Sequence, residues 1–376
     1  MSQLVETLAA RDFDAAMKLL DRAFAEHGVA DFASLLPALY QPTDAHMHRQ
    51  LAVRDGDRLA ALVGVFPIDW RLGDVGLPVA GIGGVAVDPE ERGRGLMRQL
   101  MGAARERIAA ERYPLAYLAG QRQRYRWFGW EAAGCRVRLE LSPKNLATIE
   151  PQDAKLTLSA LEPRDVPELE ALHRQRASHC RRPDFARHLV SWRHEPLVAR
   201  AGDRIAGYLV QHPSQRVVHE LVARGPELEI EVLRACVARH DERVTLVLAN
   251  EPSPLLARLG AEAEAVALEQ DGNWWVRDWA RVAGALLAHR NALAPLSPGR
   301  VVLRCAEQTF VLWVDDSGAG ASPCSAPSSL TLDGPAMTRL LFGPLSPDAV
   351  TPLPRAAAPL RGWCPLPLSI PRQDQV

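Results

Sequence analysis

The sequence lacks a close cysteine pair and a recurring cysteine spacing. Its six cysteines are Cys135, Cys180, Cys236, Cys305, Cys324 and Cys364. A disulfide framework or a zinc site would need paired cysteines, or cysteines and histidines at short spacing. The eleven histidines do not supply such a pattern. We therefore expect reduced, structural thiols and no metal site.

Long apolar runs are also missing. The longest one, at about residues 59–68, contains Pro67 and is far shorter than the ~18 residues that a membrane span needs. The first twenty residues include Glu6, Asp12 and Asp14 and no apolar core of a signal peptide. The sequence therefore predicts a cytoplasmic protein that binds no membrane.

Neither sign of charge is in excess. The chain has 44 Lys and Arg against 45 Asp and Glu, whereas a broad nucleic-acid-binding face requires a surplus of basic residues. We therefore expect no nucleic-acid partner. The hydrophobic fraction of 47% is ordinary for a globular protein. Because 376 residues exceed what one hydrophobic core usually organises, two or three domains are expected.

The most informative stretch is a strand, a turn and a helix between residues 82 and 108. Residues 82–87 alternate in hydrophobicity as a strand does, and Asp88-Pro89 ends that strand. Apolar residues then recur every four positions, as on one face of a helix. They are Leu96, Leu100, Ala104 and Ile108. The pattern predicts a helix that begins near Gly95.

The turn before this helix has the composition of an anion site. The first turn of a helix has backbone N–H groups without intrahelical partners and carries the positive end of the helix dipole. Gly93 and Gly95 allow a phosphate to approach the main chain closely. Arg92, Arg94 and Arg98 add positive charge around it. The segment therefore predicts a phosphate-binding turn.

Two common phosphate motifs do not fit this turn. A nucleotide-hydrolysing P-loop places Lys and then Ser or Thr after its last glycine, where this chain has Leu96-Met97. A dinucleotide-binding fold uses Gly-x-Gly-x-x-Gly, of which only Gly93-x-Gly95 is present. The expected ligand is thus a phosphate compound bound without a magnesium-binding hydroxyl.

The segment resembles motif A of the GNAT acetyltransferase superfamily, which is Arg/Gln-x-x-Gly-x-Gly/Ala after a Val-x-Val-x-Pro strand end. Arg92-x-x-Gly95-x-Met97 matches the motif at two of its three fixed positions and departs from it at Met97. Together with a three-unit plan and Tyr125-x-x-Phe128-Gly129, the segment is similar to the enhanced intracellular survival (Eis) type of acetyltransferase. That family tolerates a large residue where Met97 stands.

This resemblance implies an α/β (α+β) fold of three units over essentially the whole length. Residues 1–142 would form a GNAT domain that binds acetyl-CoA, residues 150–271 a degenerate GNAT-like domain, and residues 272–376 a sterol-carrier-like α+β domain. The strand-like run at residues 135–141 would close the first unit. Residues 318–329, which are rich in small side chains, are expected to form a loop.

The second unit repeats the order of strands and helix without the anion turn. Its helix starts at Pro226 and carries Glu227, Glu229 and Glu231. Proline removes an N–H donor, and the acids repel phosphate. We expect a degenerate repeat that binds no coenzyme. An unrelated α/β domain is the alternative.

The resemblance assigns coenzyme contacts to three segments. The main chain of Val85, Ala86 and Val87 would hold the pantetheine arm. The pyrophosphate would be bound by Arg92, Gly93, Arg94, Gly95, Leu96, Met97 and Arg98. Gly120 and Gln121 would form the adjoining coenzyme surface. The implied co-substrate is acetyl-CoA, and no metal is implied.

Tyr125 is the candidate general acid. Acetyl transfer requires removal of a proton from the amine, donors for the oxyanion and protonation of the departing thiolate. A tyrosine, with a pKa of ~10, stays protonated at neutral pH and can protonate the thiolate of a thiol with a pKa of ~8.5. The alternative is that Tyr125 only packs beside Trp127 and Phe128.

The resemblance also implies a general base at the C-terminal carboxylate, folded back into the active domain. That residue is Val376, and it follows the polar residues 372–375, whereas well-known members of the family end in an aromatic residue. Burial raises the basicity of a carboxylate. A disordered polar tail is the alternative, and Asp374 is a second carboxylate within reach.

The acceptor is less well defined. The resemblance implies a primary amine of a small molecule or of lysine, and Glu26, Asp31 and Asp44 would then form an acidic pocket for a polycation. The alternative is that these acids belong to the solvated surface. The basic segment 121–126 would instead suit an anionic or neutral acceptor. We predict an N-acetyltransferase (EC 2.3.1 class) that forms homo-oligomers, since related proteins form symmetric assemblies, hexamers among them. The alternative is a non-catalytic acyl-CoA-binding scaffold or sensor.

Overall fold

The computed structural model describes residues 4–28, 30–152, 155–240 and 242–376. The strands formed by these residues are β1 (Val5–Thr7), β2 (Gln50–Asp55), β3 (Arg58–Leu72), β4 (Val75–Val87), β5 (Leu115–Leu118), β6 (Glu131–Ala132), β7 (Arg136–Leu141), β8 (Thr157–Ala160), β9 (Ser178–Arg181), β10 (Glu195–Ala201), β11 (Arg204–His212), β12 (Val217–Ala223), β13 (Val244–Ala249), β14 (Ala265–Glu269), β15 (Asn273–Val276), β16 (Gly299–Cys305), β17 (Gln308–Asp315), β18 (Gly318–Pro323) and β19 (Leu330–Leu332).

The α-helices of the same residues connect these strands into three sheets. They are α1 (Phe13–Phe24), α2 (Phe32–Leu35), α3 (Asp44–Met47), α4 (Leu96–Ala110), α5 (Arg122–Tyr125), α6 (Pro143–Ala147), α7 (Val166–Arg174), α8 (Phe185–Leu189), α9 (Pro226–His240), α10 (Pro254–Glu262), α11 (Trp279–Leu293), α12 (Gly334–Phe342), α13 (Pro347–Val350) and α14 (Leu360–Trp363).

The first sheet has the strand order β1-β2-β3-β4-β5-β15-β6, and β9 pairs with a further part of β3. β3 and β4 form a long antiparallel hairpin. Because the side chains of a strand alternate between its faces, Ala80 and Ile82 pack in the core under α4, whereas Leu77 and Val79 pack in the core under α1. The sheet is therefore buried on both faces.

β4 and β5 are parallel, and their pairing stops partway along β4. Val79–Ile82 pair with Leu115–Leu118, after which β4 continues to Val87 while β5 ends. α4 connects these two strands and begins shortly after β4. The sheet thus opens into a crevice between β4 and β5, next to the start of α4.

The second sheet has the order β14-β7-β13-β12-β11-β10-β8 and a separate core that includes residues of α9 and α10. Its strands β12 and β13 are parallel and pair only at Val217 and Val218 of β12, so a second crevice opens between them. α9 connects these strands as α4 connects β4 and β5. The third sheet, β18-β17-β16-β19, packs against α11.

Several strands pair differently from what the sequence suggested. β7, expected to close the first unit, pairs with β13 and β14 in the second sheet. β15, expected to begin the third unit, lies between β5 and β6 in the first sheet. β18 occupies the start of the segment expected to be a loop. Local sequence patterns predict that a segment forms a strand but not which strand it pairs with. The boundaries of the three domains stay a prediction.

Candidate active site

The crevice edge of β4 contains the three residues predicted to hold a pantetheine arm. A β-bulge precedes them at Gly84, where one residue of β3 faces two of β4. Gly84 has a φ of 57°, which favours glycine. Val85, Ala86 and Val87 follow, and no strand of the described residues pairs with their crevice edge. This edge can therefore hydrogen-bond to the amides of an extended ligand.

The predicted anion turn lies at the mouth of the crevice. Gly93 and Gly95 have φ values of 84° and 79°, and a Cβ on either would meet no atom within 4 Å. Gly95 is the N-cap of α4. The first N–H to bond within the helix is that of Gln99, to the Gly95 carbonyl at 3.1 Å. The N–H groups of residues 96–98 therefore have no intrahelical partner, as a phosphate site requires.

The three arginines of this turn differ in their partners. Arg92 lies 3.6 Å from Glu26. Arg94 pairs with Glu91 and lies 3.6 Å from Asp55. Arg98 is exposed and forms no ion pair with the residues that the structure describes. Arg98 and the helix start thus offer the least compensated positive charge.

Tyr125 lies at the end of α5 and is 9% exposed. Burial raises the pKa of its phenol, against a smaller opposing effect of Arg124, so the phenol stays protonated at neutral pH. The ring packs on Gly120, where a Cβ would come within 3.0 Å of the Tyr125 Cε2 atom. Trp127, by contrast, is 81% exposed, and so the two side chains do not share one buried cluster.

Gly120 is held by a residue that sequence analysis missed. Asn273 of β15 is 3% exposed and donates a hydrogen bond from Nδ2 to the Gly120 carbonyl at 2.9 Å. Gln121 follows as the exposed N-cap residue of α5. No local signal marks Asn273, because its contact depends on the insertion of β15 beside β5.

Val376 lies against β4 and is 6% exposed. Its carboxyl carbon is 3.1 Å from the point where a Cβ on Gly83 would lie. Its Cγ2 atom is 2.8 Å from the corresponding point on Gly81. The two glycines therefore leave the space that Val376 occupies, and a side chain at either position would displace it.

The polar residues before Val376 are buried and hydrogen-bonded. Gln373 is 1% exposed, and its Nε2 donates to the carbonyls of Leu189 and Ser191 at 3.1 and 3.2 Å. Gln375 is 3% exposed and donates to the carboxylate of Asp271 at 3.0 Å. The alternative of a disordered tail is therefore wrong. The polar side chains of the tail can be buried because carbonyl and carboxylate groups inside the protein accept their hydrogen bonds.

A buried arginine fixes Asp374 in this tail. The Arg182 side chain is fully buried and donates two hydrogen bonds to Asp374, at 2.8 and 2.7 Å, and two to Glu220, at 3.0 and 2.6 Å. Although burial raises the pKa of the Glu220 carboxyl, the Arg182 guanidinium outweighs that effect and holds the pKa well below its usual range. Asp374 is thus engaged by Arg182, which makes it unsuited as a base.

Tyr125 and Val376 lie on opposite faces of the first sheet. Tyr125 packs in the core that contains Ile82, whereas Val376 contacts Gly81 and belongs to the core that contains Val79. Neighbouring residues of a strand point to opposite faces. The crevice between β4 and β5 therefore runs between the two candidate proton-transfer groups.

A cavity of about 250 Å³ lies beside Val376. It forms at residues 66–68 of β3, because the pairing of β2 with β3 reaches only Gly64 and that of β9 begins at Asp69. The charged or titratable residues that line it include His46, Arg49, Arg181, Asp184, His188 and Asp374. Val376 is among the residues that line this cavity.

The acids expected to form an acceptor pocket do not line this cavity. Glu26 pairs with Arg92 at the anion turn. Asp31 caps α2, and Asp44 accepts a hydrogen bond from the N–H of Ala10 at 2.8 Å. These three acids therefore do not contribute to this cavity, and the acidic pocket stays a prediction.

Among the described residues, no group of three or more His, Cys, Asp or Glu side chains is arranged to hold a metal ion. In the same part of the chain, no helix combines the length and the apolar character needed to cross a membrane. The six cysteines are free thiols, and five of them are buried.

Comparison with known proteins defines the class of this molecule. Residues 5–133 match the family model of the acetyltransferase (GNAT) domain. The whole structure is similar to a GCN5-related N-acetyltransferase from Kribbella flavida, with a TM-score of 0.69 and 21% identity over 100% of this chain and 98% of that one. A GCN5-related N-acetyltransferase from Anabaena variabilis is similar with a TM-score of 0.70 and 18% identity, covering 98% of both chains.

The same comparison extends to the Eis type. The structure is similar to Eis1 from Mycobacterium abscessus, with a TM-score of 0.67 and 18% identity, covering 96% of both chains. A search of curated proteins found no match. The N-terminal part of the chain is therefore a GNAT acetyltransferase domain, and the enzyme is an N-acetyltransferase. The predicted resemblance, α/β fold with tandem GNAT-like domains and enzyme class are confirmed, while the sterol-carrier-like third domain stays a prediction.

Proposed function

We propose that the protein is an acetyl-CoA-dependent N-acetyltransferase that moves an acetyl group directly to a primary amine of a small molecule or of lysine. One observation supports this proposal above others. The crevice between β4 and β5 has an anion turn at its mouth, Tyr125 on one face and Val376 on the other. An amine and a thioester that meet there would have an acid and a base on opposite sides.

The residues around the crevice fit acetyl-CoA, the co-substrate of GNAT acetyltransferases. The free edge formed by Val85, Ala86 and Val87 would pair with the amides of the pantetheine arm. The turn from Arg92 to Arg98 would bind the pyrophosphate in the open space that Gly93 and Gly95 leave. Gly120 and Gln121 would contact the adjoining part of the coenzyme. When bound, acetyl-CoA supplies the activated acyl group.

Tyr125 and the α-carboxylate of Val376 divide the proton transfers between them. The Val376 carboxylate takes the proton of the attacking amine, and desolvation favours this by raising its basicity. Tyr125 holds its proton at neutral pH, because burial raises its pKa, and gives it to the departing sulfur. Protonation stabilises the departing thiolate as a neutral thiol.

Thiol release from acetyl-CoA with a panel of amines tests this function. Tyr125→Phe is expected to lower kcat by ~10²–10⁴-fold, the usual contribution of a general acid, while acetyl-CoA affinity changes little because the ring is retained. Trp313→Phe is the control, since Trp313 is an aromatic residue on β17 of the third sheet. An unchanged kcat for Tyr125→Phe would remove Tyr125 from the mechanism. Binding of acetyl-CoA without turnover of any amine would indicate a scaffold or sensor.

We further propose that the protein forms homo-oligomers through the edge of the second sheet. Val266 and Leu268 on β14 are 54% and 57% exposed, and the outer edge of β14 pairs with no other strand of the described chain. An exposed apolar edge strand favours association. Light scattering is expected to give the mass of an oligomer, hexamers included, and Val266→Lys with Leu268→Lys is expected to lower it. The cytoplasmic location stays a prediction.

A further inference from the structure

The acidic side chains in the cavity beside Val376 already have arginine partners. Arg182 donates to both carboxylate oxygens of Asp374, at 2.8 and 2.7 Å. Asp184 caps α8 and pairs with Arg187 at 2.9 Å. A cationic acceptor would therefore find no unpaired acidic side chain among the residues that line this cavity.

The two histidines of the cavity carry no charge at neutral pH. Burial lowers the pKa of both His46 and His188 below the ordinary histidine value. His46 Nδ1 bonds to the hydroxyl of Thr43 at 2.7 Å, and His188 Nδ1 bonds to the carbonyl of Asp184 at 2.8 Å. Each ring therefore presents a neutral Nε2 and contributes no positive charge.

Arg49 is the uncompensated cation of the cavity. It is half-buried, and in the part of the chain that the structure describes its guanidinium has no ion pair and no hydrogen bond. Burial lowers its pKa, the nearby Tyr113 phenol opposes this, and the charge of Arg107 adds a smaller lowering effect. Arg181, the other arginine of the cavity, is exposed and lies 3.6 Å from Asp69. Arg49 alone is thus removed from water without a counter-ion.

An anionic group of a bound ligand would supply the ion pair that the Arg49 guanidinium lacks. A partly buried cation without a partner is unfavourable, and the planar fork of N–H donors of an arginine matches the two oxygens of a carboxylate. The cavity is also small, because about 250 Å³ is below the ~300–1,000 Å³ of sites for drug-sized ligands. A large polycation would exceed this volume and bring its charges next to Arg49.

We propose that the acceptor is a small amine that carries a carboxylate, an α-amino acid or a close analogue, with its carboxylate on Arg49 and its amino group beside the Val376 carboxylate. This rests on the acetyl transfer proposed above. The uncharged amine forms the N–C bond to the acetyl carbon as the C–S bond breaks. The amine proton goes to Val376, and the sulfur receives the proton of Tyr125. The products are an N-acetylated amino acid and coenzyme A.

Pairs of acceptors that differ only in charge test this inference. Each α-amino acid is compared with its own carboxamide, which keeps the size and the amine, in the thiol-release assay with wild-type enzyme. For the best acceptor, kcat/KM is expected to be about 10- to 100-fold higher for the acid than for the amide, the value of one charged hydrogen-bonded contact. The lower basicity of the carboxamide amine works against this preference, which makes the comparison stringent.

Variants of Arg49 separate binding from folding. Arg49→Gln is expected to abolish the preference for the acid while the carboxamide retains its kcat/KM. Arg49→Lys is expected to restore part of the preference, because the charge returns without the fork. Arg174→Gln, at an exposed arginine of α7 paired with Glu170, is expected to behave as wild type. If Arg49→Gln keeps the full preference, Arg49 does not bind the carboxylate.

Different results would overturn the acceptor class and the acetyltransferase activity. Turnover of neutral or polycationic amines, with no preference for carboxylate-bearing ones, would overturn the acceptor class and leave the N-acetyltransferase in place. Binding of acetyl-CoA with no turnover of any amine would overturn the proposed function instead. If the preference for carboxylate-bearing amines persists in Arg49→Gln, another residue binds the carboxylate.

Discussion

The two crevices of this protein, one in the first sheet and one in the second, have the same origin and different contents. In both, two parallel strands separate and a helix connects them. The first crevice has a free strand edge at residues 85–87. The second contains the chain's own tail, because residues 369–372 lie with residues 219–221 of β12 and 247–249 of β13 around a cavity of only about 50 Å³.

The helices that start at the two crevices, α4 and α9, differ in the residues of their first turns. α4 begins after Gly95 and has no acid in its first turn. α9 begins at Pro226 and has Glu227 and Glu229 in its first turn. Proline and two acids remove the donor and the positive field that a phosphate requires. The second crevice therefore suits a segment of protein better than a coenzyme.

A second unit that has no coenzyme site can still contribute to the active site of the first unit. Arg182 and Glu220, in the second unit, hold Asp374. Two residues later the chain reaches β4 of the first unit at Val376. The second unit thus acts as a clamp that positions the proposed base. Substitutions can release this clamp or remove the difference between the crevices, and the largest effects are expected at the clamp.

Deletion of Val376 should have the largest effect on turnover. Its carboxylate would retreat from β4 to Gln375, and loss of a general base usually costs ~10²–10⁴-fold in rate. Val376→Ala keeps the main-chain carboxylate and is expected to lose far less. Both variants are assayed by thiol release, with acetyl-CoA affinity measured in parallel. Equal turnover of the deletion variant and the wild type would rule out the carboxylate as base.

Arg182→Ala should have the largest effect on stability. It leaves Asp374 and Glu220 buried without their shared cation, which typically costs ~3–5 kcal/mol in the free energy of unfolding. Turnover should fall as well, because the tail is released from the second crevice. Arg174→Ala, at an exposed ion pair, is expected to change the free energy of unfolding by less than ~1 kcal/mol. Denaturant titration of both variants checks this, and similar stabilities would contradict the clamp.

Glu229 should make the stability of the second unit depend on pH. Burial raises its pKa to about 7 from an ordinary 4.5, so between these values the folded chain binds a proton that the unfolded chain does not. The free energy of unfolding should therefore fall as pH rises from about 4.5 to 7, by at most ~3 kcal/mol. Glu229→Gln is expected to remove this part of the fall between unfolding measurements at pH 5 and pH 8. An identical pH dependence in wild type and variant would contradict it.

Glycine substitutions at the two turns should separate strain from ligand binding. Gly93 and Gly225 both have positive φ, 84° and 106°, so Gly93→Ala and Gly225→Ala should each lose ~1–2 kcal/mol of stability. Only Gly93→Ala places a methyl group in the space proposed for phosphate. It is expected to raise KM for acetyl-CoA by about 10-fold, with KM unchanged in Gly225→Ala. A similar KM change in both variants would mean that strain alone is responsible.

The anion turn could be predicted from sequence because its determinants are local. The alternation of residues 82–87, the breaker Asp88-Pro89 and the four-residue spacing after Gly95 act within one strand and one helix. Each of these features recurs in the structure at the predicted place. Tyr125 could be proposed in the same way, from its position shortly after the strand at 115–118.

Other parts of the site were beyond the reach of local patterns. Asn273 reaches Gly120 across 153 residues. Arg182 reaches Asp374 across 192. A polar tail has the composition of a solvated one, and only the fold supplies the buried partners that make it ordered. For the same reason no local pattern indicated Arg49.

The sequence by itself determined the class of the protein, through a strand, a glycine turn and a helix start whose backbone chemistry depends on neighbouring residues. The tertiary structure alone decided which crevice stays open, where Val376 lies and which charge faces the acceptor. These depend on pairing between strands and on ion pairs across more than a hundred residues. Such contacts are stabilised only when the whole fold removes their partners from water.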